Sequence, residues 1–176
     1  MIDAAPLRRP AAARKARWFW LVLATLVLSD CSTKELVVSS FGADAGPHPV
    51  LGEWVRLTLA YNPGAAMNLS FGGASRIVFS GVAVAAIAAL LFLYRRTAPD
   101  AALRAGALAL VTGGALGNLL DRLQSARGVV DFIDIGVGGT RFWTFNLADV
   151  GVSVGAVLLA VVLWREDGAA PAREAA

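Results

Sequence analysis

Two aspartates in the second half of the chain have the chemistry of an acid–base pair. Asp131 lies within "GVVDFIDI" and Asp149 within "FNLADVGVSVG", and neither motif contains a lysine or arginine. If folding brings the two carboxyl groups together in a partly dry site, they cannot both ionise comfortably and share a proton. One carboxylate then takes a proton from water while the other acid hydrogen-bonds a scissile carbonyl, which is the condition of an aspartic protease dyad.

Asp149 has a plainer interpretation, and Asp131 has a neighbour that could replace it. Asp149 is also typical of an acid at the start of a helix, where the helix dipole favours it by less than about 2 kcal/mol. Asp134 follows Asp131 by three residues and competes with it for the same place in the dyad. We expect Asp134 to be a surface acid on an outer loop.

A first set of charges interrupts the first apolar run of the chain. Asp30 and Lys34 are four residues apart, so on a helix they share a face and form an ion pair. They either hold the end of that helix or turn toward a polar site and orient a substrate. Cys31, between them, is predicted to be a small buried hydrophobe.

A second set of polar residues closes the third apolar run. Asn118, Asp121 and Arg122 lie three and four residues apart on a predicted helix. Together with Asn62 and Asn146 they suggest a hydrogen-bonded frame. We interpret this frame as structural support for the two acids.

The elements that carry these residues are predicted to be membrane helices. The chain has 176 residues, of which 57% are hydrophobic and 16% charged, and its mean hydropathy is +0.62. Soluble domains are about 25% charged. One membrane domain is therefore expected, and apolar runs near the ~20 residues that cross a bilayer cover residues 18–40, 77–94, 103–120 and 146–164.

Basic residues indicate the orientation of the four spans. They precede the first span and separate the second from the third, which places these regions in the cytoplasm. The residues are Arg8, Arg9, Arg14, Lys15, Arg17, Arg95, Arg96 and Arg104. Residues 1–16 and 165–176 are then cytoplasmic tails, expected to be disordered at their ends, and the connections 41–76 and 123–144 face outward with the acids.

The first outer connection is predicted to contain a strand. In "EWVRLTLAY" apolar side chains alternate with the others, which is the period of a strand rather than a helix. The fold class expected is thus an all-α membrane protein with four transmembrane helices and a small extracytoplasmic β element.

Glycines at helical spacing predict close packing of the last two spans. Gly113 and Gly117 lie on the third span, and Gly151 and Gly155 lie on the fourth. Pairs of small residues at this spacing let helix backbones approach closely. Such packing would bring the outer ends of these two spans together, as the acid pair requires.

Several other classes of function are disfavoured. The net charge is +3, but the basic residues flank the spans instead of forming one face, so no nucleic-acid partner is expected. With one cysteine and one histidine, Cys31 and His48, neither an internal disulfide nor a soft metal site is expected. We expect no cofactor.

Five motifs in this order resemble the lipoprotein signal peptidase family, the bacterial type II signal peptidases. The resemblance covers roughly residues 18–164. The motifs are "SDCSTKEL", "YNPGAAMNL", "GGALGNLLDRL", "GVVDFIDI" and "FNLADVGVSVG".

The resemblance implies an aspartic endopeptidase of the bacterial cytoplasmic (inner) membrane, with its site near the outer face. It would hydrolyse diacylglyceryl prolipoproteins just before the lipidated lipobox cysteine, and the peptide antibiotic globomycin would inhibit it. The family's catalytic aspartates match Asp131 and Asp149, and a small β cradle matches the predicted strand. Residues that match the family's supporting positions are Asp30, Lys34, Asn62, Gly64, Ala66, Asn118, Asp121, Arg122 and Asn146. Met67 departs from the aromatic residue expected there, which puts contacts with lipid or inhibitor in doubt.

Two alternatives come from other classes of protein. A small transporter or proton-relay subunit would use intramembrane acids spread through the depth of the bilayer, whereas the acids here are concentrated on one side. A structural assembly protein with glycine-packed helices would leave two acids without a sequence partner unexplained.

Overall fold

The computed structural model describes residues 8–42, 44–64 and 71–174. These residues form four long helices and one small antiparallel sheet, which confirms the prediction of a helical membrane fold with a small β element. The helices are α1 (Arg8–Phe41), α2 (Ser75–Arg96), α3 (Ala102–Gln124) and α4 (Leu147–Glu174). The strands are β1 (His48–Leu51), β2 (Val55–Asn62), β3 (Val129–Val137) and β4 (Thr140–Arg141).

Helix α3 lies at the centre of the helical part and packs against each of the other three helices. Its buried positions include Leu108 and Ala109, which form a core cluster with Phe19 and Leu23 of α1. By contrast, Ser75 is the one buried residue of α2. The apolar surface of α2 is therefore left for lipid.

Three of the described helical segments are long and apolar enough to cross a membrane. They are Gly72–Arg96, Ala102–Gln124 and Leu147–Glu166. The longest helix, α1, carries Asp30, Lys34 and Glu35 along its length, and these charges lower its hydropathy. The four-span arrangement and its orientation stay predictions.

The sheet has the strand order β1-β2-β3-β4 and lies at the end of the helices where α1 and α3 end. Strands β2 and β3 pair antiparallel, with Ala60 opposite Asp131 and Asn62 opposite Val129. A second core of Val37, Leu59, Val130 and Phe132 joins α1 to these two strands. The sheet is thereby fixed to the helices, and with it the backbone around Asp131.

The structure corrects two expectations about connecting segments. The segment around "GVVDFIDI" is strand β3 and not a loop, because its apolar residues pair with β2 and pack on α1. The C-terminal segment is also more ordered than expected, since α4 continues to Glu174. Alanine-rich sequence favours helix, and an ion pair between Arg104 and Glu166, 2.9 Å long, ties this part of α4 to α3.

Helices α3 and α4 approach closely at Gly117 and Gly155, as the spacing predicted, whereas Gly113 and Gly151 pack against Leu26 of α1. A Cβ on Gly155 would lie 2.9 Å from the Ala107 carbonyl oxygen. The tightest approach, however, occurs at Gly114, which the glycine pairs had not singled out. A Cβ there would collide with the carbonyl oxygen of Ala148 and lie 2.8 Å from Val152 Cγ2.

Gly114→Ala is therefore expected to destabilise the protein by about 1–3 kcal/mol, the range for overpacking a filled interface. Gly106→Ala on the same helix is the matched control, because a Cβ there meets nothing within 4 Å. Helix propensity alone predicts that the control gains up to about 1 kcal/mol. Thermal unfolding of both variants in detergent measures the difference, and equal melting temperatures would contradict the close approach.

Candidate functional site

The two predicted aspartates are connected through one residue, Asn146. Asp131 is 4% exposed and Asn146 is completely buried. The Nδ2 of Asn146 donates to Asp131 Oδ1 at 2.7 Å, and its backbone N–H donates to Asp149 Oδ2 at 3.2 Å. The structure thus brings both carboxylates to the same residue, 15 and 3 positions away from it in the chain.

Strand β3 and the residues before α4 place Asn146 beside Asp131. The carbonyl oxygen of Phe145 accepts the N–H groups of Phe132 and Ile133, and Phe145 N–H donates to the Ile133 carbonyl. These backbone bonds align the segment before α4 along β3. The side chain of the next residue, Asn146, then reaches Asp131.

Asp131 receives a second amide from strand β2. Asn62 Nδ2 donates to Asp131 Oδ2 at 3.2 Å. The side-chain oxygen of Asn62 accepts the Gly64 N–H at 3.0 Å, which closes a local turn of the kind asparagine favours. This turn orients the Asn62 amide, so each oxygen of Asp131 accepts a hydrogen bond from an asparagine side chain.

Asp149 forms a reciprocal cap at the start of α4. Its backbone N–H donates to Asn146 Oδ1 at 3.0 Å while its carboxylate accepts from the Asn146 backbone, which is the pattern of a capping box. Asn118 Nδ2 donates to Asp149 Oδ1 at 2.8 Å. The helix-start interpretation of Asp149 is therefore correct, and it coexists with a place beside Asp131.

Lys34 is the centre of a buried ionic cluster behind this pair. Its Nζ lies 2.7 Å from Asp30 Oδ2 and 2.9 Å from Asp121 Oδ2, and it donates to Asn118 Oδ1 at 3.1 Å. The predicted ion pair with Asp30 is present. Asp30 Oδ1 also accepts the Ala148 N–H at 2.9 Å, so this carboxylate satisfies a backbone donor in the first turn of α4.

The end of α3 is tied to both strands of the site. Asp121 Oδ2 accepts the Val130 N–H at 3.0 Å, next to Asp131 in the chain. Arg122 donates from Nη1 to the Asn118 carbonyl and from Nη2 to the Gly64 carbonyl, at 3.0 and 2.8 Å. The frame predicted from the sequence thus forms one connected network. Of the predicted residues, Ala66 lies outside the described residues, as does Met67.

The protonation of Asp131 is shifted by its surroundings. Burial, and next the negative charge of Asp149, raise the pKa of Asp131 to about 6, and the amides of Asn62 and Asn146 oppose the rise. Compared with its usual value of 3.8, a shift of this size corresponds to about 3 kcal/mol. Like charges sharing a partly dry site have this effect.

The raised pKa makes the stability of the protein depend on pH. The folded state binds a proton at Asp131 more tightly than the unfolded state does, so the contribution of Asp131 to stability is fully present below pH 3.8 and is lost as pH rises to about 6. Asp131→Asn is expected to remove this part of the pH dependence of stability. Melting temperatures across this range measure it, with the exposed Asp100→Asn as control; parallel curves for parent and Asp131→Asn would contradict it.

The prediction for Asp134 is wrong. This residue is 7% exposed and belongs to β3 rather than to a surface loop. Arg56 Nε and Arg141 Nη2 lie 3.2 and 2.8 Å from its carboxylate oxygens, and Thr58 Oγ1 lies 3.3 Å away. Its charge is compensated by two arginines, so Asp134 does not compete with Asp131. Arg56 lies opposite Asp134 on the neighbouring strand. This ion pair can be predicted only when the register between β2 and β3 is known.

Sequence reasoning also missed the role of Arg76. Its guanidinium donates to the carbonyl oxygens of Arg122 and Leu123, which lie at the C-terminal end of α3. These carbonyls have no partner within their own helix. Arg76 therefore holds the end of α3 that carries Asn118, Asp121 and Arg122.

The chemical groups of the site are carboxylates, amides, the Lys34 ammonium and the Arg122 guanidinium. In the described part of the chain, no group of three or more His, Cys, Asp or Glu side chains is arranged to hold a metal ion. Two carboxyl groups that contact the same asparagine are of a type suited to proton transfer.

Helices able to cross a membrane, together with a buried acid, Asp131, and a partly buried one, Asp149, where the helices meet the sheet, define a multi-pass membrane protein with a polar site at one end of its helices. The sequence profile of Signal peptidase (SPase) II matches residues 22–165. The chain belongs to this family of peptidases, which confirms the family resemblance read from the motifs.

Individual relatives agree with the family match. The lipoprotein signal peptidase of Serratia proteamaculans is 39% identical over 155 residues, which cover 87% of this chain and 89% of the relative. That of Salmonella paratyphi A is 39% identical over 157 residues, with 87% and 91% covered. A solved structure described as a bacterial membrane enzyme superposes with a TM-score of 0.75 at 27% identity, covering 85% of this chain and 88% of that one.

Proposed function

We propose that this protein is an aspartic endopeptidase that removes signal peptides from diacylglyceryl-modified prolipoproteins, cleaving before the lipidated lipobox cysteine. The names of the relatives, lipoprotein signal peptidase at 39% identity, support the substrate class. The contact of Asn146 with both Asp131 and Asp149 is the observation that carries the proposed mechanism. No metal and no cofactor take part in it.

The two acids have different roles in the proposed reaction. Asp131 holds the shared proton, because burial and the charge of Asp149 raise its pKa to about 6, and donates a hydrogen bond to the carbonyl oxygen of the scissile bond. Asp149 takes a proton from the attacking water. Two carboxyl groups with one proton between them supply both the acid and the base that peptide hydrolysis requires.

The frame residues act by fixing the orientation of the two acids. Asn62 and Asn146 hold Asp131, and Asn118 holds Asp149. The other supporting residues, Asp30, Lys34, Gly64, Asp121 and Arg122, lie behind these asparagines. A carboxylate that already accepts hydrogen bonds from fixed donors loses little orientational freedom when the substrate binds.

The position of the site fits a substrate that is held by the membrane. In the proposed topology all four helices span the bacterial inner membrane, both termini are cytoplasmic, and the acids lie near the outer face. A prolipoprotein anchored by its signal helix and its diacylglyceryl chains presents the bond to be cut at that depth. Phe142 and Trp143 are about half exposed just before α4, and aromatic residues favour the membrane boundary.

A proton relay receives no support from the spacing of charges. In the sequence no Asp, Glu, Lys, Arg or His lies between positions 17 and 30, 76 and 95, 104 and 121, or 149 and 165. A relay needs titratable groups through the depth of the bilayer. Proton flux into liposomes that contain the protein, abolished by Asp149→Asn, would favour the relay instead.

The test is cleavage of a purified precursor by the purified protein. We expect cleavage of the diacylglyceryl-modified precursor before its cysteine, little cleavage of the same precursor without lipid, and inhibition by globomycin. Cleavage of both precursors at equal rates would refute the lipid requirement, and no cleavage of either would refute the proposed activity.

A further inference from the structure

A pocket with both charged and apolar walls adjoins the ionic cluster around Lys34. It has a volume of about 290 Å³ and is bounded by the outer half of α1, the end of α3 and the strands β2 and β3. Lys34 and Asp121 form part of its wall, whereas Asp131 and Asp149 do not. The pocket is therefore separate from the proposed active site but touches the frame that supports it.

Two opposite charges on the pocket wall are not paired with each other. Glu35 lies on α1, and Arg127 lies in the turn before β3 with its guanidinium 4.0 Å from the centre of the Tyr61 ring. Among the described residues Glu35 has no hydrogen-bond or ion-pair partner, and no carboxylate lies within 4 Å of Arg127. The pocket thus presents a free anion and a free cation on different elements.

Glu35 is exposed on α1, and an apolar exposed side chain precedes it on the same side of the helix. Leu28 lies seven residues before Glu35, on the same side of the helix, and is 66% exposed. An ionised side chain beside a lipid-facing surface is costly unless another charge compensates it. Because no cation of the described residues lies within 4 Å of the Glu35 carboxylate, a cation from outside satisfies it best.

We propose that this pocket binds the headgroup of a zwitterionic phospholipid with a primary ammonium, the chemistry of phosphatidylethanolamine. The ammonium lies against Glu35, the phosphate lies against Arg127, and an acyl chain runs along Leu28. The side chains of Gln124 and Ser125 also line the pocket and supply polar hydrogen atoms to the phosphate. The inference uses the proposed membrane placement of α1, but it is independent of the catalytic roles of the aspartates.

Charge complementarity selects this headgroup over the other common ones. A quaternary ammonium, as in phosphatidylcholine, has no N–H group to donate to the Glu35 carboxylate. Phosphatidylglycerol has no cation and brings a negative charge toward Glu35. A charge-assisted hydrogen bond contributes enough to favour phosphatidylethanolamine over phosphatidylcholine by about tenfold in affinity.

The experiment is native mass spectrometry of the full-length protein released from mixed micelles. The micelles contain equal amounts of phosphatidylethanolamine, phosphatidylcholine and phosphatidylglycerol with the same acyl chains. We expect about tenfold more retained phosphatidylethanolamine than phosphatidylcholine. Glu35→Gln should remove that preference, and Arg127→Gln should lower the retention of all three lipids. Asp100→Asn and Arg95→Gln, at the other end of the helices, should change neither the preference nor the retention.

Two results would overturn the proposal. One is equal retention of the three lipids by the unaltered protein, and the other is a preference for phosphatidylethanolamine that survives in Glu35→Gln. Asp149→Asn separates this proposal from the proposed function, since it should keep the lipid preference whether or not Asp149 is catalytic.

Discussion

Asp149→Asn is expected to lower kcat/KM for a lipidated precursor by about 10³-fold or more, while the protein stays folded and inserted in the membrane. Loss of one general acid or base removes a factor of about 10² to 10⁴, and here the same change also ends the proton sharing with Asp131. Asparagine keeps the size of the side chain. It also keeps an oxygen that can accept the hydrogen bond from the Asn146 backbone or from Asn118.

Asp131→Asn is expected to have an effect of similar size. Because the two acids act as one unit, the double variant should be no slower than either single variant by more than a small factor. The measurement is precursor cleavage by purified protein, with Asp100→Asn as the control acid outside the site. Near-normal cleavage by either single variant would remove that residue from the mechanism.

Lys34→Met is expected to destabilise the protein by about 3–5 kcal/mol, the range for removing one partner of a buried ion pair. Asp30 has no exposed surface and Lys34 is 3% exposed. Without the ammonium, Asp30 and Asp121 lose the cation that compensates both of them. Asn118 Oδ1 also loses the hydrogen bond that it accepts from Lys34. The Asn118 side chain is then less firmly oriented, and its hydrogen bond to Asp149 weakens.

The matched control for Lys34→Met is Glu166→Gln, which breaks the ion pair between Arg104 and Glu166. The side chains of that pair are 28% and 45% exposed, and exposed pairs contribute about 0–1 kcal/mol. Unfolding of both variants in detergent, followed by circular dichroism, gives the comparison. Equal stability of the two variants would show that the buried ionic cluster around Lys34 contributes no more to stability than an exposed ion pair.

The helices could be predicted from the sequence, and so could the polar residues that group around the two acids. Both depend on local pattern. Apolar runs of sufficient length predict spans, and the spacing of Asp30 and Lys34 predicts their ion pair. The polar residues at the ends of apolar runs could be grouped because each of them requires a partner. The asparagines were correctly grouped with the acids, although their individual contacts were not predictable.

The sheet and its ionic contacts could not be predicted in the same way, because they depend on pairing between distant segments. The partners of β3 lie on β2, and Arg56 and Asp134 are 78 residues apart. A short apolar run such as "GVVDFIDI" has no unique period from which a strand can be assigned. The contact of Asp30 with the Ala148 N–H spans 118 residues, and only the packing of α1 against α4 shows that Asp30 caps another helix.

The central claim is that Asp131 and Asp149 act together with one proton between them. Its most direct test is kcat/KM for cleavage of a lipidated precursor, measured from acid to alkaline pH with the unaltered protein. The account predicts a bell-shaped profile with two apparent pKa values that belong to the pair. A profile with a single limb, or no pH dependence at all, would contradict it.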